Sequence, residues 1–270
     1  MSHGVAANPP APPADAGASI PSRGAGSARA AVPIVLVHGV GFGPETLEVL
    51  AAAIAMHAPV MCVTRRGYGR RAHMPPAASV AEHVGDVIAV LDEAGVGQAV
   101  VAGMSGGATV ALALALACPE RVVAAVAHEP AVGSLSPELR ALVRGALVDG
   151  GGGQLLRALA GSETWDRLSA ETVAALEASS GLVEADAAAF LAFEPRLRVA
   201  AGRAPLVCSV GEHSNELRYT VADRLAARTG ARVAVVPGCR HLPQLDAPSA
   251  FAELILEQAL QATPRGPIAQ

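Results

Sequence analysis

The sequence contains no lysine, so all 20 of its basic residues are arginines. There are 24 acidic residues, the formal net charge at pH 7 is -4, and the arginines form no basic stripe. Proteins that bind nucleic acids usually carry such a stripe. The charge pattern therefore argues against a nucleic-acid partner, and we attribute the exclusive use of arginine to coding bias.

Cysteine is scarce, and its spacing indicates neither disulfides nor metal. Cys62, Cys118, Cys208 and Cys239 lie far apart, with no C-x-x-C pair and no Cys/His cluster. We expect reduced thiols and no metal site at these cysteines. No motif elsewhere in the sequence signals a metal or an organic cofactor. The N-terminus also lacks the basic start and apolar block of a secretory signal, which predicts a cytoplasmic protein.

Aromatic residues make up only 3% of the chain, although 51% of it is hydrophobic. No charged residue falls between Gly95 and Cys118, a stretch long enough to cross a bilayer. Three glycines and Ser105 lie at its centre, which argues against a membrane span. A buried strand followed by a helix that is apolar on all sides explains the same composition.

The length of 270 residues fits one α/β domain with an insertion better than two independent domains. Residues 1–30 are rich in Pro, Ala, Gly and Ser, which predicts a disordered tail. We assign 31–133 and 199–263 to the core and 134–198 to a helical cap. The oligomeric state is left open.

A G-x-S-x-G motif around Ser105 is the central feature of the chain. An apolar run precedes it and an Ala/Leu-rich segment follows, which predicts a buried strand, a sharp turn and a helix. Gly103 and Gly107 remove the Cβ atoms that would clash in such a turn. The N–H of Gly106, at the start of the helix, could then stabilise negative charge on a substrate oxygen. For the motif alone, an ordinary loop that contains a serine stays an alternative.

The strand predicted at Pro33–Val37 ends in a glycine-rich turn that begins with His38-Gly39. An N–H of this turn, that of Val40, is the candidate for a second donor to the same substrate oxygen. An ordinary strand-to-helix loop is the alternative. We expect His38 to be a structural hydrogen-bonding residue behind the turn rather than a base.

A second strand, predicted at Val60–Val63, leads into a loop with two adjacent arginines, Arg65 and Arg66. These cations could bind an anionic substrate. We favour a structural loop in which Arg66 bonds nearby carbonyls.

Two further strand ends carry groups suited to catalysis. The strand predicted from Val122 to Ala127 delivers Glu129 to its carboxyl end, where open parallel sheets bind ligands. A catalytic role and a capping or surface role are both open for this carboxylate. His241 follows the strand predicted at Arg232–Val236, in a tight turn that suits a general base. We expect Asp246 to cap the closing helix rather than to act in chemistry.

The insertion at 134–198 shows helical patterns that we expect Gly150–Gly153, Gly161 and Gly181 to separate. Its length suits a cap over the site. Its large apolar residues, Trp165 and Phe190 among them, either line a pocket or form the core of the cap itself.

Five motifs occur in one order: strand-HG, strand-R-R-G-x-G, strand-G-x-S-x-G-helix, strand-H-E-P and strand-P-G-x-x-H-x-P. In this order and spacing the sequence resembles the α/β-hydrolase superfamily over about residues 33–262. The resemblance implies an α/β fold with a doubly wound, mostly parallel sheet and a helical cap inserted after strand six. It also implies Ser105 as nucleophile and His241 as base.

The chain departs from the family pattern in two places. Many members carry an Asp after strand seven, where this chain has Ser214, which cannot hold a charge. Some relatives place the acid after strand six, the position of Glu129, and we assign Glu129 as the triad acid. Glu212 and a Ser-His dyad without an acid are the alternatives. The second departure is that no clear pair of opening strands precedes Val32.

These residues predict a serine hydrolase for an ester, thioester or lactone of a small, largely apolar substrate. In this scheme Ser105 attacks the carbonyl, His241 takes its proton and Glu129 orients His241. A dehalogenase is disfavoured, because that chemistry needs a carboxylate at Ser105. Other chemistry of the same fold stays open, namely cofactor-free peroxidation, carbon-carbon hydrolysis or a lyase reaction. A non-catalytic small-molecule binder is the further alternative.

Overall fold

The computed structural model of the chain describes residues 31–195 and 204–261. The tail predicted at 1–30 lies outside the described residues. So do residues 196–203, where the predicted cap meets the core, and the segment after 261.

Six short strands form one sheet, and every pair of neighbours in it is parallel. The strands are β1 (Ile34–Val37), β2 (Val60–Val63), β3 (Ala99–Met104), β4 (Val122–His128), β5 (Leu206–Gly211) and β6 (Arg232–Val236). The order across the sheet is β2-β1-β3-β4-β5-β6. Strands β1 and β3 are buried along their whole length, which explains their uninterrupted apolar sequences.

The helices connect these strands and cover both faces of the sheet. They are α1 (Glu48–Ala55), α2 (Val80–Glu93), α3 (Gly106–Ala117), α4 (Pro137–Ala160), α5 (Ser162–Asp166), α6 (Ala170–Ala178), α7 (Ser180–Leu191), α8 (Glu216–Thr229), α9 (Pro243–Asp246) and α10 (Pro248–Gln261). Short 3-10 turns form at Pro44–Leu47, Gly69–Arg71 and Pro119–Arg121.

Side chains alternate between two apolar layers. Leu36 of β1 packs in a cluster with residues of α1 and α10, including Phe251. Val35 and Val37 of the same strand belong to a cluster with residues of α2 and α3, including Val87. The alternation follows from the two-residue period of a strand. Helices on both faces of a parallel sheet are the predicted doubly wound α/β fold, and this prediction is confirmed.

The predicted strands at Val60–Val63 and Arg232–Val236 have the observed bounds, and the one predicted at Pro33–Val37 begins one residue later. The strand that precedes Glu129 is β4, and four helices, α4 to α7, follow it before the chain returns to the sheet. We call α4 to α7 the inserted helices. Within the described residues, which begin at Ala31, no strand precedes β1.

The prediction that Gly150–Gly153 separate two helices was wrong. Helix α4 runs through all four glycines, and Gly181 lies in the first turn of α7. Gly161 does separate two helices, α4 and α5, as predicted. Within α4, Gly152 serves packing instead. A Cβ on Gly152 would lie 2.9 Å from the Cα of Ser180, so only glycine lets α4 approach the start of α7 this closely.

Gly107 supports a similar close approach in the core. A Cβ on this residue would overlap the carbonyl oxygen of Val37 and lie 2.7 Å from its carbonyl carbon. We predict that Gly107→Ala lowers the free energy of unfolding by about 1–3 kcal/mol, although alanine is the better helix former. Urea denaturation monitored by circular dichroism measures the change.

Gly145→Ala is the matched control, because Gly145 also lies inside a helix, α4, but has no atom within 4 Å of its Cβ position. The free energy of unfolding of this variant should rise by up to about 1 kcal/mol. An equal gain from Gly107→Ala would contradict the close approach of α3 to β1.

Candidate active site

Ser105 lies between the end of β3 and the first residue of α3. Its backbone has φ 53° and ψ -119°, a conformation that costs a non-glycine residue about 1–3 kcal/mol. Hydrogen bonds hold it there, because the N–H of Ser105 donates to the carbonyl of His128 (2.9 Å) and its carbonyl accepts from the N–H of Thr109 (3.1 Å). The residue is 6% exposed. The sharp turn expected from the motif is therefore present.

The glycine-rich turn after β1 lies beside Ser105. A Cβ on Gly39 would lie 3.5 Å from the Cβ of Ser105, and a Cβ on Gly106 would lie 2.8 Å from a methyl group of Val40. Gly106 is the first residue of α3, so its N–H has no partner within the helix. The two predicted oxyanion donors, Val40 and Gly106, thus belong to adjacent turns next to Ser105.

His38 is fully buried behind this turn. Its Nδ1 donates to the carbonyl of Gly39 (3.0 Å) and its Nε2 accepts from the N–H of Arg65 (3.1 Å). Burial and the charge of Arg65 lower the pKa of His38 to about 3. A neutral imidazole with both nitrogens bonded is a structural element, as we expected for this residue.

A buried network ties the same turn to the inserted helices. The N–H of Gly41 donates to the Tyr68 hydroxyl (2.8 Å), which donates to the carboxylate of Asp186 in α7 (2.7 Å). Arg65 pairs with Asp186 and also donates to the carbonyl of Gly39 (3.2 Å). Asp186 is fully buried. Burial alone would raise the pKa of Asp186, but Arg65 and hydrogen bonds hold that pKa well below its usual range.

Glu129 follows β4 and is the other non-glycine residue with positive φ, 47°, among the described residues. Its buried carboxylate accepts from the N–H of Gly211 (3.0 Å), the hydroxyl of Ser214 and the Nδ1 of His241 (2.7 Å). The guanidinium of Arg218 adds an ion pair at 3.5 Å.

The carboxylate of Glu129 is ionised despite its burial. Desolvation alone would raise its pKa. The hydrogen bond from His241 and the nearby charges, including that of Arg218, outweigh this and hold the pKa of Glu129 well below its usual range.

The structure shows what Ser214 and Glu212, the two residues that left the choice of a triad acid open, contact. Ser214, which replaces the usual Asp, donates its hydroxyl to Glu129. The carboxylate of Glu212 is half exposed and accepts from the N–H of Gly238 (2.9 Å). Glu129, and not Glu212, contacts the imidazole of His241.

His241 is 6% exposed. Its Nε2 is buried and has no hydrogen-bond partner within residues 31–195 and 204–261. Desolvation and the charge of Arg218 lower the pKa of His241, and Glu129 opposes them. The imidazole is thus neutral at pH 7, with one nitrogen bonded to Glu129 and the other available.

The loop that carries His241 is anchored from two sides. His128 contacts the carbonyl of Arg240 through Nε2 (3.3 Å), and the N–H of Arg240 donates to Asp246 (3.2 Å). Asp246 also accepts from Thr164 (2.8 Å) in α5. The prediction that Asp246 caps the closing helix was wrong, because Asp246 ends α9 and binds this loop to the inserted helices.

The expected partners of Arg66 also differ. Arg66 donates to the carboxylates of Asp86 (2.8 Å) and Glu82 (2.9 Å) on α2, rather than to carbonyls. The loop is structural, and helix α2 supplies its counter-charges.

A small cavity of about 30 Å³ lies against Ser105. By volume it holds about one water molecule. Its lining is apolar except for Ser105 and Arg218: Val40, Ala131, Leu139, Val143, Leu155, Leu159, Ala187, Phe190 and Leu191. Most of these apolar residues belong to the inserted helices, so the inserted helices form one wall of the space next to the serine.

Sequence reasoning did not identify Tyr68, Asp186 and Arg218 as part of this site. Arg218 and Asp186 lie in helices, where a charged residue usually faces solvent. The one available signal was a basic residue in the first turn of α8, which the helix dipole disfavours.

The family described as "Alpha/beta hydrolase family" matches residues 34–254. Over 93 residues the chain is 38% identical to the protein named "Putative carbamate hydrolase RutD" of Azorhizobium caulinodans. This match covers 34% of the chain and 35% of that protein, so the chain spans about a third of the length of the curated relative it matches.

Two solved structures share the fold over nearly their whole length. One, described as "Est816 as an N-Acyl homoserine lactone degrading enzyme", has a TM-score of 0.70 at 27% identity and covers 89% of this chain and 96% of that one. The enol-lactonase from Burkholderia xenovorans LB400 has a TM-score of 0.70 at 20% identity, with 85% and 92% covered. In the part of the chain that is described, no helix combines the length and apolarity needed to cross a membrane.

The buried pair between Arg65 and Asp186 generates a prediction about stability. Asp186→Asn leaves the arginine charge buried without its partner, which should cost about 3–5 kcal/mol at pH 7. Since the pKa of Asp186 is lowered in the folded state, its contribution is fully present above the ordinary value of 3.8. It declines as the pH falls below that value and is gone only below the much lower pKa of the folded state. The difference in free energy of unfolding from wild type should therefore begin to shrink near pH 3.8 and continue to shrink at still lower pH, as measured by urea denaturation.

Asp92→Asn is the control, since Asp92 is 62% exposed in its ion pair with Arg121 and should cost less than about 1 kcal/mol. A difference between wild type and Asp186→Asn that does not change with pH would contradict an ionised Asp186.

Proposed function

Because the chain belongs to the alpha/beta hydrolase family, we propose that it is a serine hydrolase that forms an acyl-enzyme on Ser105. The family match confirms the prediction that the chain is an α/β-hydrolase. One observation carries the finer proposal: the carboxylate of Glu129 bonds the Nδ1 of His241 at 2.7 Å, at the sheet edge where Ser105 takes its strained turn.

In the proposed reaction His241 is the general base. Its Nδ1–H donates to Glu129, so the neutral ring carries its lone pair on Nε2. Nε2 takes the proton of the Ser105 hydroxyl as the oxygen attacks the substrate carbonyl, and then gives it to the leaving group. A water molecule, deprotonated in turn by His241, releases the acid and restores Ser105.

The developing negative charge needs donors in place before the reaction. The backbone N–H groups of Gly106 and Val40 are proposed to bind the oxyanion. The bonds from Arg65 and Tyr68 to Gly39 and Gly41 hold this turn rigid, which favours a preformed donor geometry.

The insertion at 134–198 is proposed to act as a cap. The cavity at Ser105 holds about one water molecule by volume, so substrate entry requires the inserted helices to shift. Return of the inserted helices over the bound substrate would limit the access of bulk water to the site.

The substrate is proposed to be a carboxylic ester, thioester or lactone with a small, largely apolar body. The apolar lining of the cavity supports this, as does the similarity to a structure described as a lactone-degrading enzyme. The partial match to a carbamate hydrolase points to the same attack on an acyl carbon. No metal or organic cofactor enters the scheme, and the cytoplasmic location stays a prediction.

The role of Glu129 is tested by Glu129→Gln, which keeps the shape but removes the charge that orients and stabilises His241. We expect kcat for 4-nitrophenyl acetate to fall by about 10³- to 10⁴-fold. Glu212→Gln is the matched control, because Glu212 bonds the N–H of Gly238 instead, and it should change kcat by less than threefold (roughly 0.6 kcal/mol).

Near-normal turnover in Glu129→Gln would assign the acid to Glu212 or to no residue. Labelling of Ser105 by a fluorophosphonate probe separates an enzyme from a non-catalytic binder. An unlabelled Ser105 in folded wild-type protein would overturn the proposed acyl-enzyme.

The lowered pKa of His241 makes a prediction about pH. The base acts when neutral, so kcat/KM should fall as the pH drops through the pKa of His241. The acid limb should therefore lie below 6.5, and activity should be constant from there to pH 8. An acid limb centred above 7, measured with 4-nitrophenyl acetate, would contradict the lowered pKa.

A further inference from the structure

Arg218 occupies a costly position that its single ion pair with Glu129 does not fully explain. It is the third residue of α8 and its N–H is bonded by the helix cap, Asn215. A positive charge in the first turn of a helix is opposed by the helix dipole. Burial lowers the pKa of Arg218 as well, and Glu129 opposes this. Its side chain is only 9% exposed.

The guanidinium N–H groups of Arg218 donate no hydrogen bond to any residue in the described part of the chain. Within the described ranges its guanidinium makes one ion pair, from Nε to Glu129 at 3.5 Å, and no hydrogen bond. Glu129 already accepts from Gly211, Ser214 and His241. The carboxylate is thus satisfied without the arginine, whose planar fork can still donate to a second carboxylate.

The same charge works against the proposed base. Arg218 lowers the pKa of His241, and it disfavours the imidazolium that forms when Ser105 loses its proton. An anion bound at Arg218 would offset this repulsion at the step where His241 becomes charged. The arrangement therefore suits a substrate that brings its own negative charge.

The cavity shows where that charge would lie. Arg218 and Ser105 line the same space, and the other lining residues, such as Leu139, Val143 and Phe190, are apolar. A single buried cation in an apolar pocket beside the nucleophile fits a ligand with one anionic group on an apolar body. Arginine binds a carboxylate in a bidentate manner.

We propose that Arg218 determines specificity by binding a carboxylate of the substrate, so that the chain hydrolyses esters or lactones that carry a free carboxylate near the scissile carbonyl. This inference rests on the proposed function, which requires Ser105 and His241 but sets no charge on the substrate.

Two matched pairs of esters test the role of Arg218. In each pair one ester carries a free carboxylate, and in the other that carboxylate is masked as a methyl ester. Mono-4-nitrophenyl adipate and its methyl ester place the charge on the acyl side. The acetates of 4-hydroxybenzoic acid and of its methyl ester place it on the alcohol side. We expect wild type to prefer the charged member of at least one pair in kcat/KM.

In Arg218→Gln this preference, expressed as the ratio of the two kcat/KM values, should fall by about 10- to 100-fold, as for a lost hydrogen bond to a charged group. The ratio cancels any loss common to both substrates. Arg228→Gln is the matched control, because it removes an exposed charge from the last turn of the same helix, and its ratio should equal that of wild type. Arg218→Lys keeps the charge without the fork and should retain part of the preference.

Binding separates this inference from the proposed function. Calorimetry with Ser105→Ala and the same esters measures the charge preference without turnover. A preference for the charged esters that Arg218→Gln removes supports the inference, even if the fluorophosphonate probe leaves Ser105 unlabelled, which would overturn the serine hydrolase alone. Equal binding and equal hydrolysis of charged and masked esters in both pairs would overturn the role of Arg218 and leave the hydrolase standing.

Discussion

A buried carboxylate, that of Glu129, holds the carboxyl edge of the sheet together. Its charge must be satisfied because burial of an unpaired carboxylate is prohibitive. Three later residues donate hydrogen bonds to it: Gly211 at the end of β5, Ser214 in the loop that follows β5, and His241 in the loop after β6. Satisfying this one charge therefore brings the loop after β6 and its imidazole to the end of β4, next to the turn that contains Ser105.

A second buried carboxylate, that of Asp186, binds the inserted helix α7 to the core. Arg65 and Tyr68 bond it, and both also bond the glycine-rich turn beside Ser105. Any motion that withdraws α7 from the core thus removes a partner from two groups that hold this turn. In the proposed cap movement, the ion pair of Arg65 with Asp186 and the hydrogen bond of Tyr68 to Asp186 would link α7 to the turn that carries one proposed oxyanion donor.

The charged groups around Glu129 and around Asp186 lie next to apolar side chains. Apart from Ser105, the space beside the serine has apolar walls and one cation, Arg218. Under the proposed function, the inserted helices would contact the neutral part of a substrate, and Arg218 of the core would bind its charge.

The sequence by itself determined the order of strands, the turn at Ser105 and the placement of Glu129 and His241 at strand ends. These are local properties: apolar runs form buried strands, and glycine spacing sets a turn. Only the tertiary structure decided that Glu129 rather than Glu212 contacts His241 and that Asp246 ties a loop instead of capping a helix. It also decided that α4 continues through Gly150–Gly153, with Gly152 packed against α7. These outcomes depend on contacts between distant segments, 112 residues apart for Glu129 and His241 and 121 for Arg65 and Asp186. Such contacts are set by how helices rotate and pack onto the sheet, which no local pattern encodes.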